Sequence, residues 1–290
     1  MTNPNYTLLA VTAHPDDESF GMGGTLALYA QRGVAVHLIC ATRGEAGEVE
    51  PDYLEGYRSI AERRVEELRC AAGILGLAGV HFLDYRDSGM SGSPDNLHPR
   101  ALVAAPLEEV AAKIAHHIRR LRPQVVITFD PIGGYKHPDH IAIHNATVMA
   151  FHLASDKNFA DELSVYTPLK LYYHIFPKNW LKLAVFGLSI LGKDPHRMGK
   201  NRDIDLVDLV KAGDFPVNAR INCRQVIKKK EAASDCHSSQ LDGAALQNGF
   251  WRWIQNLFGS HEAYMRAYPP PLPGQVERDL FTGIDLSSSF

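Results

Sequence analysis

Apolar and polar positions change period repeatedly along the first half of the chain. Residues 6–13 (YTLLAVTA) are a short apolar run with β-branched members, and polar, glycine-rich sequence follows. That pattern predicts a strand buried on both faces, as in a parallel sheet. A helix is predicted over 23–32, stopped by Gly33, and a second strand over 34–41. A polar loop over 42–56 leads into a helix over 57–75 and a third strand over 80–84. Residues 87–100 are rich in Gly, Ser, Pro and Asn and read as a loop. Leu107, Val110, Ala111, Ile114, Ile118 and Leu121 keep the spacing of one helix face, and Pro123 ends that helix. Residues 124–129 (QVVITF) read as a fourth strand, followed by a loop over 130–136 and a helix beginning near His137.

Strands alternating with helices imply a parallel sheet covered on both faces by right-handed crossovers. Beyond residue 153 the pattern is less regular. Strands are expected over 169–176 and 215–221, a polar loop over 193–205, helices over 224–236 and 244–258, and an extended stretch over 269–273. The expected fold is α/β, a Rossmann-like three-layer sandwich with a mainly parallel sheet and a C-terminal cap. One domain is expected over 1–290, with the core in 1–153 and the cap and C-terminal extension in 154–290.

Composition narrows the function. The chain is 45% hydrophobic and 22% charged, the balance of a soluble globular protein rather than a disordered one. A net charge of −3 without a long Lys/Arg cluster excludes a nucleic-acid surface. The basic triplet Lys228-Lys229-Lys230 is followed by Glu231 and reads as a solvated helix end. The most apolar stretch, 180–192, contains Lys182 and is too short for a bilayer core of ~30 Å. It reads as a buried or surface-lying helix, so no stable membrane insertion is expected. Cys40, Cys70, Cys223 and Cys236 are widely spaced, which excludes a C-x-x-C zinc or redox centre. They read as free thiols of a reducing compartment, and residues 1–5 lack the start of a signal peptide. A cytoplasmic location is expected.

Histidine changes the picture most. Several of the 14 histidines fall beside aspartates in two short motifs. The first, His14-Pro15-Asp16-Asp17-Glu18, directly follows the first strand. It offers a neutral nitrogen, hard oxygens and a spare carboxylate to take a proton, a mixture suited to zinc. A plain capped helix entry is the alternative. So is a dinucleotide loop at Gly21-x-Gly23, although the full G-x-G-x-x-G is missing and the carboxylates would repel a pyrophosphate. The second motif, His137-Pro138-Asp139-His140, follows the fourth strand, and His144 shares a helix face with His140. Ligands of open α/β sheets bind beyond the carboxyl ends of strands, where both motifs lie. His14, Asp17 and one histidine of the second motif would fill a catalytic metal set, and Asp139 is placed to orient a histidine. Spacing leaves open which histidine binds.

Ala13 to Glu18 with Gly24, and His137-Pro138-Asp139-His140, resemble the paired signature motifs of the LmbE-like (PIG-L) zinc-dependent de-N-acetylases. That family includes N-acetylglucosaminyl-phosphatidylinositol deacetylase and the deacetylases of the mycothiol and bacillithiol pathways. Supporting matches are Gly44-Glu45-Ala46-Gly47-Glu48, Arg64-x-x-Glu67-Leu68, Arg86 to Met90, Tyr135, and residues 232–240 (AASDCHSSQ). The resemblance implies zinc on His14, Asp17 and His140, with iron(II) fitting the same donors. It implies Asp16 as general base and His137 as oxyanion or leaving-group partner oriented by Asp139. Glu48, Arg64, Asp87 and Tyr135 would line the sugar site. Lys136 departs from the Gly common in mycothiol-type members. His144 reads as helix packing and Glu18 as a structural acceptor. His237 and Gln240 either close the site or end a helix.

The expected reaction is hydrolysis of the N-acetyl group of an N-acetylglucosamine-type sugar conjugate, with a homo-oligomer compatible. Competing readings are an amidase on a larger thiol-sugar S-conjugate, a non-catalytic sugar-binding protein with a structural metal, and a nucleotide-binding enzyme.

Overall fold

The computed structural model describes residues 6–198, 205–241 and 260–284. The first strand, β1 (Thr7–Thr12), buries Leu8, Leu9, Ala10 and Val11 completely. Full burial on both faces follows from alternation. Leu8 and Ala10 point into one core with Leu26, Leu38, Leu68 and Leu75, while Leu9 and Val11 point into another with Ile39, Ile114, Ile118 and Ile143. Helices α2 (Gly23–Gln31) and α3 (Ile60–Leu75) supply the first core. Helices α4 (Leu107–Leu121) and α6 (Pro138–Leu153) supply the second. A short helix, α1 (Asp17–Phe20), precedes α2, and a kinked turn, α5 (Gly133–Lys136), precedes α6.

Around β1 run β2 (Ala35–Cys40), β3 (Gly79–Phe82), β4 (Val125–Phe129), β5 (Lys170–Ile175), β6 (Ala219–Asn222) and β7 (His261–Tyr268). Among the described residues they form a seven-stranded sheet in the order β3-β2-β1-β4-β5-β7-β6. Strands β1 to β5 are parallel, whereas β7 is antiparallel to both β5 and β6. The three-layer α/β sandwich expected from the pattern is therefore present. The order reverses between β1 and β4, which is the switch point where such sheets open a crevice.

The C-terminal half does more than cover this core. It adds β5, β7 and β6 to the same sheet, and the helix expected over 224–236 forms as α9 (Ile227–Cys236) after a short 3-10 turn. Buried Lys170 and Arg266 both meet Glu277, which also accepts from Tyr172, so the last strands and the tail share one ion-pair network. The 180–192 stretch forms α7 (Lys178–Ile190), lying on the surface with Leu183, Phe186 and Ile190 exposed. No described helix is long and apolar enough to cross a membrane. A short helix, α8 (Leu206–Ala212), falls at the end of the predicted polar loop, and the helix expected over 244–258 lies outside the described residues.

Two long-range contacts correct the sequence reading. Cys70 on α3 and Cys236 on α9 are joined by a disulfide across a sequence separation of 166, so these thiols are not free. Only buried Cys40 and Cys223 remain as free cysteines, and the thiols no longer argue for a reducing compartment. The second contact is Glu262 of β7, which accepts hydrogen bonds from the N–H groups of Gly24 (2.9 Å) and Thr25 (2.7 Å) at the start of α2. A pyrophosphate would need those donors, so the dinucleotide reading has no helix terminus left to use.

Thiol titration of the unfolded, unreduced chain is expected to detect Cys40 and Cys223 alone, with Cys70 and Cys236 appearing only after reduction. Cys236→Ser should lower unfolding stability by about 2–4 kcal/mol in urea denaturation.

Candidate metal and catalytic site

The first motif leaves β1 into α1, and the second leaves β4 into α6, so the switch point brings them together. The local fold is dictated by the motif itself. The carboxylate of Asp17 accepts the backbone N–H groups of His14 (2.8 Å) and Ala13 (3.2 Å) through Oδ2. Its other oxygen, Oδ1, lies 3.2 Å from Nε2 of His140. Burial would raise the Asp17 pKa, but His140 and His14 outweigh it and hold this carboxyl below the usual range. The His140 ring is set by a parallel stack on Phe129, with centroids 3.9 Å apart. Among the described residues its Nδ1 is buried without a hydrogen-bond partner, and its Nε2 has Asp17 beside it but no well-formed hydrogen bond.

His14 stands among carboxylates. Its Nε2 is 3.0 Å from Asp139 Oδ2 and 3.4 Å from Asp87 Oδ1, and its Nδ1 is 3.7 Å from Asp17 Oδ2. Burial disfavours a charged ring there, yet Asp87, Asp139 and Asp17 together raise its pKa well above the ordinary value. The site therefore calls for positive charge at this point. The unpartnered His140 Nδ1 and the mixed nitrogen and carboxylate donors fit a divalent metal of the zinc or iron(II) class.

Among the described residues two donor groupings share His14: one with His137 and His140, the other with Asp87 and Asp139. Hydrogen bonding separates their roles. The backbone N–H of Asp139 donates to Nδ1 of His137 at 3.2 Å, capping α6. A neutral imidazole whose Nδ1 accepts must carry its proton on Nε2, so His137 offers a donor rather than a lone pair. Burial, then the His14 and His140 rings, push the His137 pKa down to about 2, which keeps that ring neutral. Asp139 also accepts the Ser88 N–H at 2.9 Å. Its carboxylate thus faces His14, whereas the expected partner was His137.

Asp16 occupies the strained corner of the site. Its φ is 117°, in the left-handed region that a non-glycine residue enters only when its surroundings compel it. Here Glu18 Oε2 accepts its N–H at 3.0 Å, and Arg64 Nη2 reaches its side chain at 3.0 Å. Burial pushes its pKa up to about 6, with Arg64 pulling the other way. Arg64 of α3 is itself buried and also donates to the carbonyls of Pro15 and Gly44. Gly44 has φ +70°, and a Cβ there would lie 2.0 Å from Arg64 Nη1, so this loop closes on the guanidinium only with glycine.

The remaining sequence candidates are placed as follows. Asp87 is buried beside His14 and 3.9 Å from Arg64 Nη1. The Tyr135 ring lies edge-on to His140, 4.9 Å between centroids. Lys136, also at positive φ, pairs with Asp208 of α8. Glu48 lies in the loop after Gly44. His144 bonds the Phe129 carbonyl through Nδ1 at 2.8 Å and packs on Tyr173, as helix packing requires. His237 is fully buried against Glu18 at 2.7 Å, and Gln240 lies beside Gly47. The motifs did not reveal Glu262, which lies far from both of them in sequence, and Ser88 fell within the Arg86 to Met90 match without a role.

This fold and site place a His/Asp cluster able to hold a metal at an α/β switch point. Residues 9–151 match the family model described as GlcNAc-PI de-N-acetylase, PIG-L. The 1D-myo-inositol 2-acetamido-2-deoxy-alpha-D-glucopyranoside deacetylase of Kineococcus radiotolerans is 48% identical, over 97% of this chain and 84% of its own. The chain belongs to the PIG-L family. Among solved structures, N,N'-diacetylchitobiose deacetylase from Pyrococcus horikoshii shares the fold (TM-score 0.63, 20% identity, 98% of this chain and 88% of that one). So does GalB, the 4-carboxy-2-hydroxymuconate hydratase from Pseudomonas putida (TM-score 0.60, 20% identity, 92% and 98%). The fold alone therefore does not choose the reaction.

Asp139→Asn should weaken metal retention against a chelator by about 10- to 100-fold, because it loosens the hold on His14. Metal content after graded chelator dialysis checks this.

Proposed function

We propose that this chain is a metal-dependent de-N-acetylase acting on an N-acetylglucosaminyl conjugate of the inositol type. The observation that carries the reading is the buried donor set His14, Asp17 and His140 at the switch point, with the adjoining carboxylate of Asp16 held by Arg64 and a His137 that presents Nε2–H. The substrate class comes from the named activity of the relative at 48% identity. His14, Asp17 and His140 would hold a zinc or iron(II) ion. A divalent ion held there would polarise the acetyl carbonyl and make a water acidic enough to ionise near neutral pH.

The protein's own groups do the rest. Asp16 accepts the proton of the attacking water, and Arg64 fixes that carboxylate in place. The water oxygen bonds to the acetyl carbon, and His137 Nε2–H donates to the negative charge that gathers on the carbonyl oxygen. The proton on Asp16 passes to the departing nitrogen as the C–N bond breaks, giving acetate and a free amine. Asp139 would keep His14 aligned by accepting its Nε2–H, leaving Nδ1 for the metal. Tyr135 and Asp87 border the same space and would contact the sugar. Glu48, on the loop beyond Gly44, would reach it only at the rim.

Asp16→Asn should keep its metal while acetate release from N-acetylglucosaminyl-inositol falls by about 10²- to 10⁴-fold. Turnover equal to wild type would overturn the mechanism. A thiol-sugar S-conjugate whose sugar nitrogen is held in an amide, assayed beside it, should yield no amine.

A further inference from the structure

A second group of histidines lies away from the switch point, at the outer edge of the sheet. His37 is on β2, His81 on the edge strand β3, and His117 with Arg120 near the end of α4. His37 pairs with Gly79 in the parallel register, so His37 and His81 project from the same face. That face is the one covered by α4. A Cβ on Gly79 would lie 3.0 Å from Nδ1 of His37 and 3.3 Å from Nε2 of His81, so glycine leaves room between the rings.

The tautomers follow from Arg120. One guanidinium nitrogen, Nη2, lies 2.8 Å from Nδ1 of His117 and 3.2 Å from Nδ1 of His81. A guanidinium has donors only, so both Nδ1 atoms must accept. Their lone pairs thus converge on one cationic group. His81 then carries its proton on Nε2, which donates to Nδ1 of His37 at 3.4 Å. A histidine whose second N–H is held by an acceptor is what metal ligation requires of its outer partner. Burial, followed by the Arg120 charge, lowers the pKa of all three rings, that of His117 to about 4. They are therefore neutral at physiological pH. Arg120 is exposed on a long side chain, so among the described residues only its two histidine contacts hold the guanidinium over the rings. A surface cavity lined by Phe82, Asp84, His116, His117 and Asp161 opens alongside.

We propose that His81 and His117 form a second metal site, for a borderline divalent cation such as zinc, with His37 orienting His81 and Arg120 as the resident group a metal displaces. Imidazole suits zinc, copper(II) and nickel(II), and water would complete the coordination of an ion held by these two rings. The inference does not depend on what binds at His14, because its test reads differences between variants at the sheet edge.

Equilibrium dialysis against zinc, with metal measured per chain, tests the site. Wild type should bind about one zinc more than His81→Gln or His117→Ala. Arg120→Ala should fill that extra site at about tenfold lower free zinc, since it removes both the plug and a like charge. Opposite signs for histidine and arginine variants are not expected of a merely structural hydrogen-bond cluster. Equal zinc in wild type and both histidine variants would overturn the proposal, as would an Arg120→Ala chain that binds no more tightly. Thermal unfolding of each variant establishes that the folded chain is being compared.

Discussion

Charge compensation at the end of β1 is the constraint around which this molecule is built. The carboxylates of Asp16, Asp17, Asp87 and Asp139 lie buried or nearly so, within one cluster. A buried ion costs several kcal/mol unless paired and hydrogen-bonded. Backbone N–H groups offset part of this at Asp17 and Asp139, and Arg64 offsets part at Asp16. What is left falls on His14, whose ring is driven towards protonation. A metal cation would meet the same need with more charge. The strained φ of Asp16 falls at the same point of the chain, where Arg64 meets its carboxylate and Glu18 its backbone N–H.

Much of this is legible in the order of the residues. The β1, β2 and β4 runs are apolar because both faces of a central parallel strand are buried, and such runs are readable from residue type alone. The His/Asp motifs are readable because their members adjoin in sequence and follow strands. Asp139 marks the limit. Its neighbourhood in sequence suggests that it serves His137, only two residues away. In the fold its backbone serves His137 and its side chain serves His14, 125 residues distant. Sequence proximity reports the main-chain contact, while the side chain reaches across the switch point.

The same physics explains why β7, the Cys70–Cys236 bond and Glu262 leave no such signature. β7 has glutamate and arginine at positions that are buried, so it lacks the apolar run of a central strand. Those charges are inside because partners from distant segments meet them: Lys230 and the start of α2 for Glu262, and Glu277 for Arg266. A cysteine pair separated by most of the chain carries no local signal either. Apolar periodicity predicts surfaces to be covered, and it cannot predict polar contacts that exist only after the covering elements have arrived.

Those contacts make the second half of the chain part of the site rather than a covering for it. On α3, Arg63, Glu67 and Cys70 fall on one helical face. They meet Ser238, Ser239 and Cys236 respectively at the end of α9. Arg64, adjacent to that seam, points the other way into the site. His237, within the same stretch, is buried against Glu18, whose other oxygen holds the Asp16 backbone. Movement of α9 along α3 would therefore be felt at Asp16 from two sides, through the guanidinium and through the glutamate. A general base is effective only when held within a fraction of an ångström of its proton. In the proposed role of Asp16, the seam between α3 and α9 would supply that precision, so a site whose named residues sit in the first half would need the last third of the chain.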